Sequence, residues 1–351
     1  MTYSTRNIKY PDDKEYLTNI LNKYLEFKKG AKSSIEWNYE SDLVNTASGR
    51  ILLYKDDSLN EHQIGSLNVL SRTFLVNRKH YKASLLGDFV VELQHRTLSP
   101  ALKLSKDIAK YALENSVFVY GLPNKKAFPV LKMSGFKSIG LLTRYAYITS
   151  YSIFLPRIFH MPVMPFFVGA IIDLIKGSWT HFINILSLSN HKIEEVSAFD
   201  DDFDTLIKYS EFNQLIANTR SAAYLNWRYF KNSEHDYRVL VCRKNDNNFP
   251  KGYVVIEVEQ DVIHIRDIFA ATSEVFSVLL KAVKEMAINI NSGVISFSFL
   301  GASSIIDLIR KSGFKPRESI RHFIVKADNE ELWNMLNNKD NWFIVDGDED
   351  Q

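Results

Sequence analysis

The stretch Gly87-Asp88-Phe89-Val90-Val91-Glu92-Leu93-Gln94-His95-Arg96-Thr97-Leu98-Ser99-Pro100-Ala101-Leu102 reads as a strand, a short polar turn and the start of a helix. Pro100 suits a first helical turn, where its missing N–H costs nothing. The unpaired N–H groups of such a start, here from about Thr97 to Ala101, form a ready anion site. The helix dipole adds up to about 2 kcal/mol for a well-placed negative group. Thr97, Ser99 and Ala101 are small enough to let a phosphate approach the backbone. The same residues also fit a plain connection capped by Ser99 or Thr97. Period-two alternation puts Asp88 and Glu92 on one face of the strand, with Glu92 nearer the turn.

Around this stretch the pattern alternates between periods. Tyr16, Leu17, Ile20, Leu21, Tyr24 and Leu25 recur at helical spacing. Strand-like runs follow at 50–55, 64–76 and 81–92, then a helix over 100–114 and a buried strand over 116–120. A short helix over 124–133 and a final strand over 136–148 complete the series. A second series echoes the first. Trp37-Asn38-Tyr39 returns as Trp227-Arg228-Tyr229, the run from Gly87 returns as Arg266-Asp267-Ile268-Phe269-Ala270, and Ser134-Gly135-Phe136-Lys137 returns as Ser312-Gly313-Phe314-Lys315. Asp88 and Gly135 are 47 residues apart, Asp267 and Gly313 46. Matches in one order argue for two copies of one fold. The second copy reads as a helix near 203–209, strands at 237–242, 252–259 and 262–268, a helix over 272–289, a strand over 293–299, a helix over 303–311 and a last strand over 318–325. Adjacent strands before the first long helix predict a mixed α/β (α+β) sheet and not a doubly wound parallel one.

A length of 351 residues fits two domains. The expected division is 1–150, an apolar interdomain segment 151–189, a second lobe 190–335 and a solvated acidic tail 336–351. Apolar residues at 46% and charged ones at 24% exclude a disordered or collagen-like chain. With 43 Lys and Arg against 41 Asp and Glu, no bulk positive field holds nucleic acid, and no such partner is expected. Cys242 is the single cysteine, and the nine histidines lack His-x-x-x-His spacing, so neither disulfide nor metal is expected. The first residues carry no apolar leader, which makes the cytoplasm the expected compartment. Residues 161–172 are apolar, but a membrane span needs about 20 residues. Residues 151–188 therefore read as a hairpin packed between lobes or as a peripheral membrane contact. Asp200-Asp201-Asp202 with Asp204 reads as an acidic helix start, since a calcium loop would need its glycine and distal glutamate. The tryptophans and tyrosines of the repeated pairs read as contacts between lobes or as platforms for a sugar.

Residues 94–101, with Arg96-Thr97-Leu98-Ser99-Pro100-Ala101, resemble the Arg/Gln-x-x-Gly-x-Gly/Ala motif of the GNAT superfamily of N-acetyltransferases. The resemblance takes in the strand before it, Val119-Tyr120-Gly121-Leu122-Pro123-Asn124 and Ser134-Gly135-Phe136 after it, spanning roughly residues 10–150 and, more weakly, 195–327. The arrangement is similar to tandem double-GNAT proteins. The resemblance implies two lobes, each a mixed, mostly antiparallel sheet flanked by helices, with acetyl-CoA as co-substrate in the first. It implies a pantetheine arm paired along 89–93 beside Val90 and Val91, and a backbone N–H near Val91 that polarises the thioester. The pyrophosphate would lie on Arg96, Thr97, Leu98, Ser99, Pro100 and Ala101, with Asn124 on the cofactor arm. Glu92 is the expected base, with Asp88 beside it. Ser99 replaces the usual middle glycine. The family's general-acid tyrosine position holds Leu131 in one copy and Ile309 in the other, which leaves Tyr120 as a substitute acid. The second copy lacks the phosphate turn and is expected to shape the acceptor pocket. The implied activity is direct acetylation of a small-molecule amine such as an amino sugar. The alternatives are an aminoacyl or peptidyl transferase of the FemABX kind and a non-catalytic acyl-CoA-binding protein. Oligomeric state stays open.

Overall fold

The computed structural model describes residues 2–25, 30–40, 47–152, 168, 191–232, 234–244 and 247–349. Most of the interdomain segment, and with it the question of membrane contact at 151–188, lies outside these residues. Among them, no helix is long and apolar enough to cross a membrane.

The first half runs β1 (Thr2–Asn7), α1 (Lys14–Tyr24), α2 (Ala31–Tyr39), β2 (Ala47–Lys55), β3 (Glu61–Val76), β4 (Lys79–Val91), α3 (Leu98–Asn115), β5 (Phe118–Gly121), α4 (Phe128–Met133), β6 (Lys137–Leu141) and β7 (Thr143–Ile148). The second half begins with β8 (His191–Val196), α5 (Phe203–Tyr209), the short β9 (Ile216–Asn218) and α6 (Ala222–Leu225), which runs on into a π-helical turn, Asn226–Phe230. It continues with β10 (Tyr237–Lys244), β11 (Asn247–Glu259), β12 (Val262–Ala270), α7 (Ser273–Asn289), β13 (Val294–Gly301), α8 (Ser303–Lys311), β14 (Lys315–Arg317) and β15 (His322–Lys326). Every element of the first half has a counterpart in order in the second, where β9 is the one addition within the series. The chain ends with α9 (Glu330–Leu336) and β16 (Trp342–Val345), which have no counterpart.

The strands form one sheet of sixteen among the described residues. In α3, Leu104, Ile108, Ala109 and Ala112 are buried in one stripe over β2, β3 and β4. Burying each of the larger two stabilises by about 1.5–3 kcal/mol. Leu17, Ile20 and Leu21 of α1 and Ile35 of α2 cover the opposite face, against Val90. The acidic run precedes α5, as expected.

One expectation is corrected by the pairing. The strand expected over 136–148 is two strands, because Leu142 leaves the ladder, its N–H bonding to Arg321 O. Strand β6 stays in its own half, whereas β7 crosses over and pairs with β13 and β14 of the second. In return, β15 crosses back between β5 and β6. Each half therefore receives its last strand from the other, and the ladder hydrogen bonds bind the halves together.

The segment expected as a solvated tail holds a core strand instead. Trp342, Phe343, Ile344 and Val345 are fully buried, and Asp348 is 2% exposed. Four consecutive apolar residues outweigh the charges that follow them. Trp37 and Trp227, equivalent positions of the repeat, stack face to face with centroids 4.3 Å apart, and Trp37 Nε1 donates to Trp227 O. Their contact is packing between the halves.

Candidate active site

Strands β4 and β5 run parallel but pair at only three positions, Ala83 with Phe118, Ser84 with Val119 and Leu85 with Tyr120. Beyond Leu85, β4 is paired on its β3 edge alone. A bulge marks the divergence: Asn68 faces Gly87 and Ser66 faces Val90, so Asp88 and Phe89 share one place. Such a bulge bends a strand. Asp88 has φ +49°, in the left-handed region, where its carboxylate accepts from Asn68 Nδ2 at 3.1 Å. The result is a cleft of about 480 Å³ lined by Leu85, Leu86, Asp88 and Phe89 on one side and Gly121, Leu122 and Asn124 on the other.

The edge of β4 that faces this gap carries usable backbone groups. Glu92 N–H bonds to Ile64 O at 2.8 Å, toward β3. Alternation therefore turns the N–H and C=O of Val91 toward the gap, and Arg96 Nε donates to Val91 O at 2.8 Å. The Val90 and Val91 side chains themselves are buried in the helix layers on opposite faces. Past the turn, α3 starts at Leu98 behind an extended Thr97, with no side chain capping its N–H groups. Thr97, Leu98 and Ser99 are exposed, and Pro100 is buried. The Arg96 guanidinium rests over the Tyr24 ring at 4.7 Å. Neither Ser99 nor Thr97 caps the helix through its side chain, so the anion-site reading keeps its N–H groups.

The remaining sequence-derived residues divide. Asp88 lines the cleft, whereas Glu92 does not: it lies one residue past the end of β4, with Lys23 Nζ at 3.5 Å. Glu92 faces α1, whereas the bulge at Asp88 and Phe89 interrupts the alternation between the two carboxylates. Asn124 lines the cleft, but its Oδ1 is engaged in the turn ahead of α4, accepting from Lys126 N and Ala127 N, both at 3.0 Å. Tyr120 is corrected. It is fully buried among Phe74, Phe118 and Phe323, donates to Asp348 O at 3.2 Å and does not line the cleft. Burial holds its hydroxyl well above the ordinary tyrosine range. A strand-end residue whose side chain faces the core layer has no path to the reacting atoms.

The opposite wall was not legible in the sequence. Glu234, His235, Glu259, Arg266 and Glu349 of the second half line the same cleft, beside Trp37. Behind them, Glu257 accepts from His235 Nδ1 at 2.9 Å and pairs with Arg266 Nη2 at 2.7 Å. Arg321 pairs with Asp346 and Glu349, and Arg228 Nη2 donates to Glu349 O at 3.0 Å. The one available signal was the Trp37–Trp227 pair of the repeat, which marks where the halves meet.

The corresponding place in the second half is filled. Strands β12 and β13 pair over Val262–Ile265 and Val294–Phe297, and β12 carries a bulge at the equivalent point. Where β13 leaves β12, it pairs with β16, Phe299 to Val345 and Gly301 to Phe343. A Cβ at Gly301, where φ is +151°, would lie 1.9 Å from Trp342 O, so only glycine admits the strand this close. Arg220 then joins Asp267 of β12 to Asp348, each at 3.1 Å, and Tyr229 and Tyr253 donate to Asp267. Burial raises the Asp348 carboxyl, and Arg220 opposes that rise. The start of α7 is occupied as well: Thr272 accepts from Val275 N, and Glu211 accepts from Ser273 N and Oγ. Among the described residues, no group of His, Cys, Asp and Glu side chains could hold a metal ion.

No protein-family model matches the sequence, and no curated protein is significantly similar to it. Solved structures do match. A probable N-acyltransferase of Enterococcus faecalis V583 superposes with a TM-score of 0.64 at 10% identity, over 93% of this chain and 72% of that one. A GCN5-related N-acetyltransferase from Anabaena variabilis gives 0.60 at 11% identity, over 93% and 73%. A putative acetyltransferase from Pyrococcus horikoshii gives 0.52 at 11%, over 97% and 92%. The chain has the fold of the GCN5-related N-acetyltransferases. The GNAT fold covers nearly the whole chain in these superpositions, so the open gap and the filled one both lie within it.

Proposed function

We propose that the protein is an acyl-CoA-dependent N-acyltransferase of the tandem double-GNAT kind, with acetyl-CoA as donor and the β4–β5 gap of the first half as its site. One observation carries the reading: this gap is open and the helix that follows β4 starts without a side-chain cap, while its counterpart is filled by β16 and Glu211. In this reading the free edge of β4 from Phe89 to Val91 pairs with the pantetheine arm as an added strand. The Val91 N–H polarises the thioester carbonyl, and the backbone around residues 96–101 holds the phosphates. The acceptor nitrogen attacks the thioester carbon, the C–S bond breaks, and the nitrogen gives up a proton. Asp88 is the carboxylate placed to take it, since Glu92 lies outside the cleft. A thiol of ordinary pKa, about 8.5, leaves with little help from an acid, so Leu131 in place of tyrosine does not disable the site. The acceptor is a small-molecule amine, of which an amino sugar is the class the tandem resemblance favours.

Calorimetric titration of acetyl-CoA into the wild type and Ser99→Glu tests this. Ser99 is exposed, so the variant folds and sets a carboxylate at the proposed phosphate site. Wild-type binding that the variant weakens at least tenfold is the expected result. Equal binding by both, or none by the wild type, overturns the assignment.

A further inference from the structure

Arg220 and Arg243 are buried, and each pairs with two carboxylates. Arg72 of β3 is buried too, at 3% exposure, and among the described residues no carboxylate pairs with it. Its Nη1 donates to Ser71 O at 2.9 Å, while Nε and Nη2 are buried without a hydrogen-bond partner. These two N–H groups share one edge of the guanidinium, the edge with which Arg238 grips Glu195 at 2.8 and 2.6 Å. Two further donors belong to side chains that touch Arg72. Trp227 and Tyr224 of the second half hold their rings 5.2 and 5.8 Å from its Cζ, with their own centroids 5.8 Å apart. Trp227 Nε1 and the Tyr224 hydroxyl are likewise buried without partners. A guanidinium and an indole offer donors only, and the guanidinium stays charged. Water accepts hydrogen bonds but leaves that charge unbalanced, which is costly in a buried place. The cleft is close by. Trp227 stacks on Trp37, which lines it, and Arg72 stands two residues along β3 from Leu70, the register partner of the cleft residue Leu85.

We infer that Arg72, Trp227 and Tyr224 form a buried binding site for a compact carboxylate, held between the two halves beside the cleft. Two N–H groups on one edge of Arg72 match the two oxygens of a carboxylate, and its single charge balances the guanidinium. The indole N–H and the phenol O–H serve the remaining lone pairs. A halide matches the charge but presents one atom to a two-donor edge. Arg72 comes from the first half and the two rings from the second, so the bound carboxylate joins the halves where Trp37 and Trp227 stack. The site stands independently of the reaction proposed above.

The test is thermal unfolding of the full chain across a series of sodium formate concentrations, with ionic strength held constant by sodium chloride. Wild type, Arg72→Lys, Tyr224→Phe and Trp227→Phe are compared. The expected result is a saturable rise of the wild-type midpoint that fits one site per chain. Arg72→Lys keeps the charge but lacks the fork, and should weaken formate binding by about tenfold, the scale of one charged hydrogen bond. Tyr224→Phe and Trp227→Phe keep the ring and remove the donor, and each should weaken binding to a smaller degree. A midpoint indifferent to formate overturns the inference and leaves water on these donors. A rise of equal size in wild type and all three variants overturns it as a general salt effect. Glycine and glycinamide, run beside formate, separate the two sources of a carboxylate. A shift with glycine and none with glycinamide supports a carboxylate carried by an amine, and a shift with formate alone supports a free ion.

Discussion

Strands β4 and β5 of the first half, and β12 and β13 of the second, diverge at equivalent points of one topology, each beside a bulge. In the first half the divergence stays open, and the helix that follows β4 starts uncapped. In the second it is closed by a strand, a buried Arg–Asp network and a carboxylate on the helix start. The repeat thus carries topology, and topology alone does not make a site. What separates the two is Glu211, on the loop after α5, and the last residues of the chain, which lie beyond the repeat.

The comparison can be broken at its strongest point first. Arg220→Met leaves Asp267 and Asp348 buried without their cation, and removing one partner of such a pair costs about 3–5 kcal/mol. Chemical denaturation should show a loss of that size, and a change under 1 kcal/mol would mean that the network does not hold the second gap shut. The open gap is tested by Asp88→Asn. Asparagine tolerates the left-handed backbone of this position and keeps the shape, so turnover should fall about a hundredfold with acetyl-CoA affinity retained. Glu92→Gln should do much less, and the reverse order would return the role of base to Glu92. Next, Glu211→Ala uncaps α7, at about 1 kcal/mol for a lost cap. Acetyl-CoA should still bind at one site per chain, because β16 remains in place. A stoichiometry of two would erase the difference between the halves.

The smallest effect concerns the residues ahead of α1 and α5. Asp13 is held below its ordinary range by the Arg6 guanidinium, whereas its counterpart Asp202 is exposed. A depressed carboxyl stabilises the fold above the unfolded value, about pH 3.9, and that stability is lost as pH falls through the lower folded value. Arg6→Met should therefore remove under about 1 kcal/mol at pH 7 and flatten the loss below pH 4. An unchanged acid limb in pH-dependent denaturation would dismiss the pair.

Much of the fold was legible because it is local. Helical spacing gave α1, α3 and α7, and the expected strands at 64–76, 81–92 and 262–268 correspond to β3, β4 and β12 within a few residues. Asp88 and the turn at 96–101 were legible because residue type and order specify a strand, a turn and a helix start. Tyr120 misled because its face of β5 depends on which layer covers it. Glu349 was invisible because its role depends on Arg228 and Arg321, 121 and 28 residues away.

The sequence by itself determined the two series of elements, the mixed α/β class and the candidate anion site, since periodicity, turn chemistry and helix starts act over a few residues. Tertiary structure alone decided that the halves exchange their last strands, that β16 fills one gap, and that the second half walls the other. Strand pairing and buried ion networks join residues far apart in the chain. A strand's unpaired edge accepts any suitable partner that the assembled core brings to it.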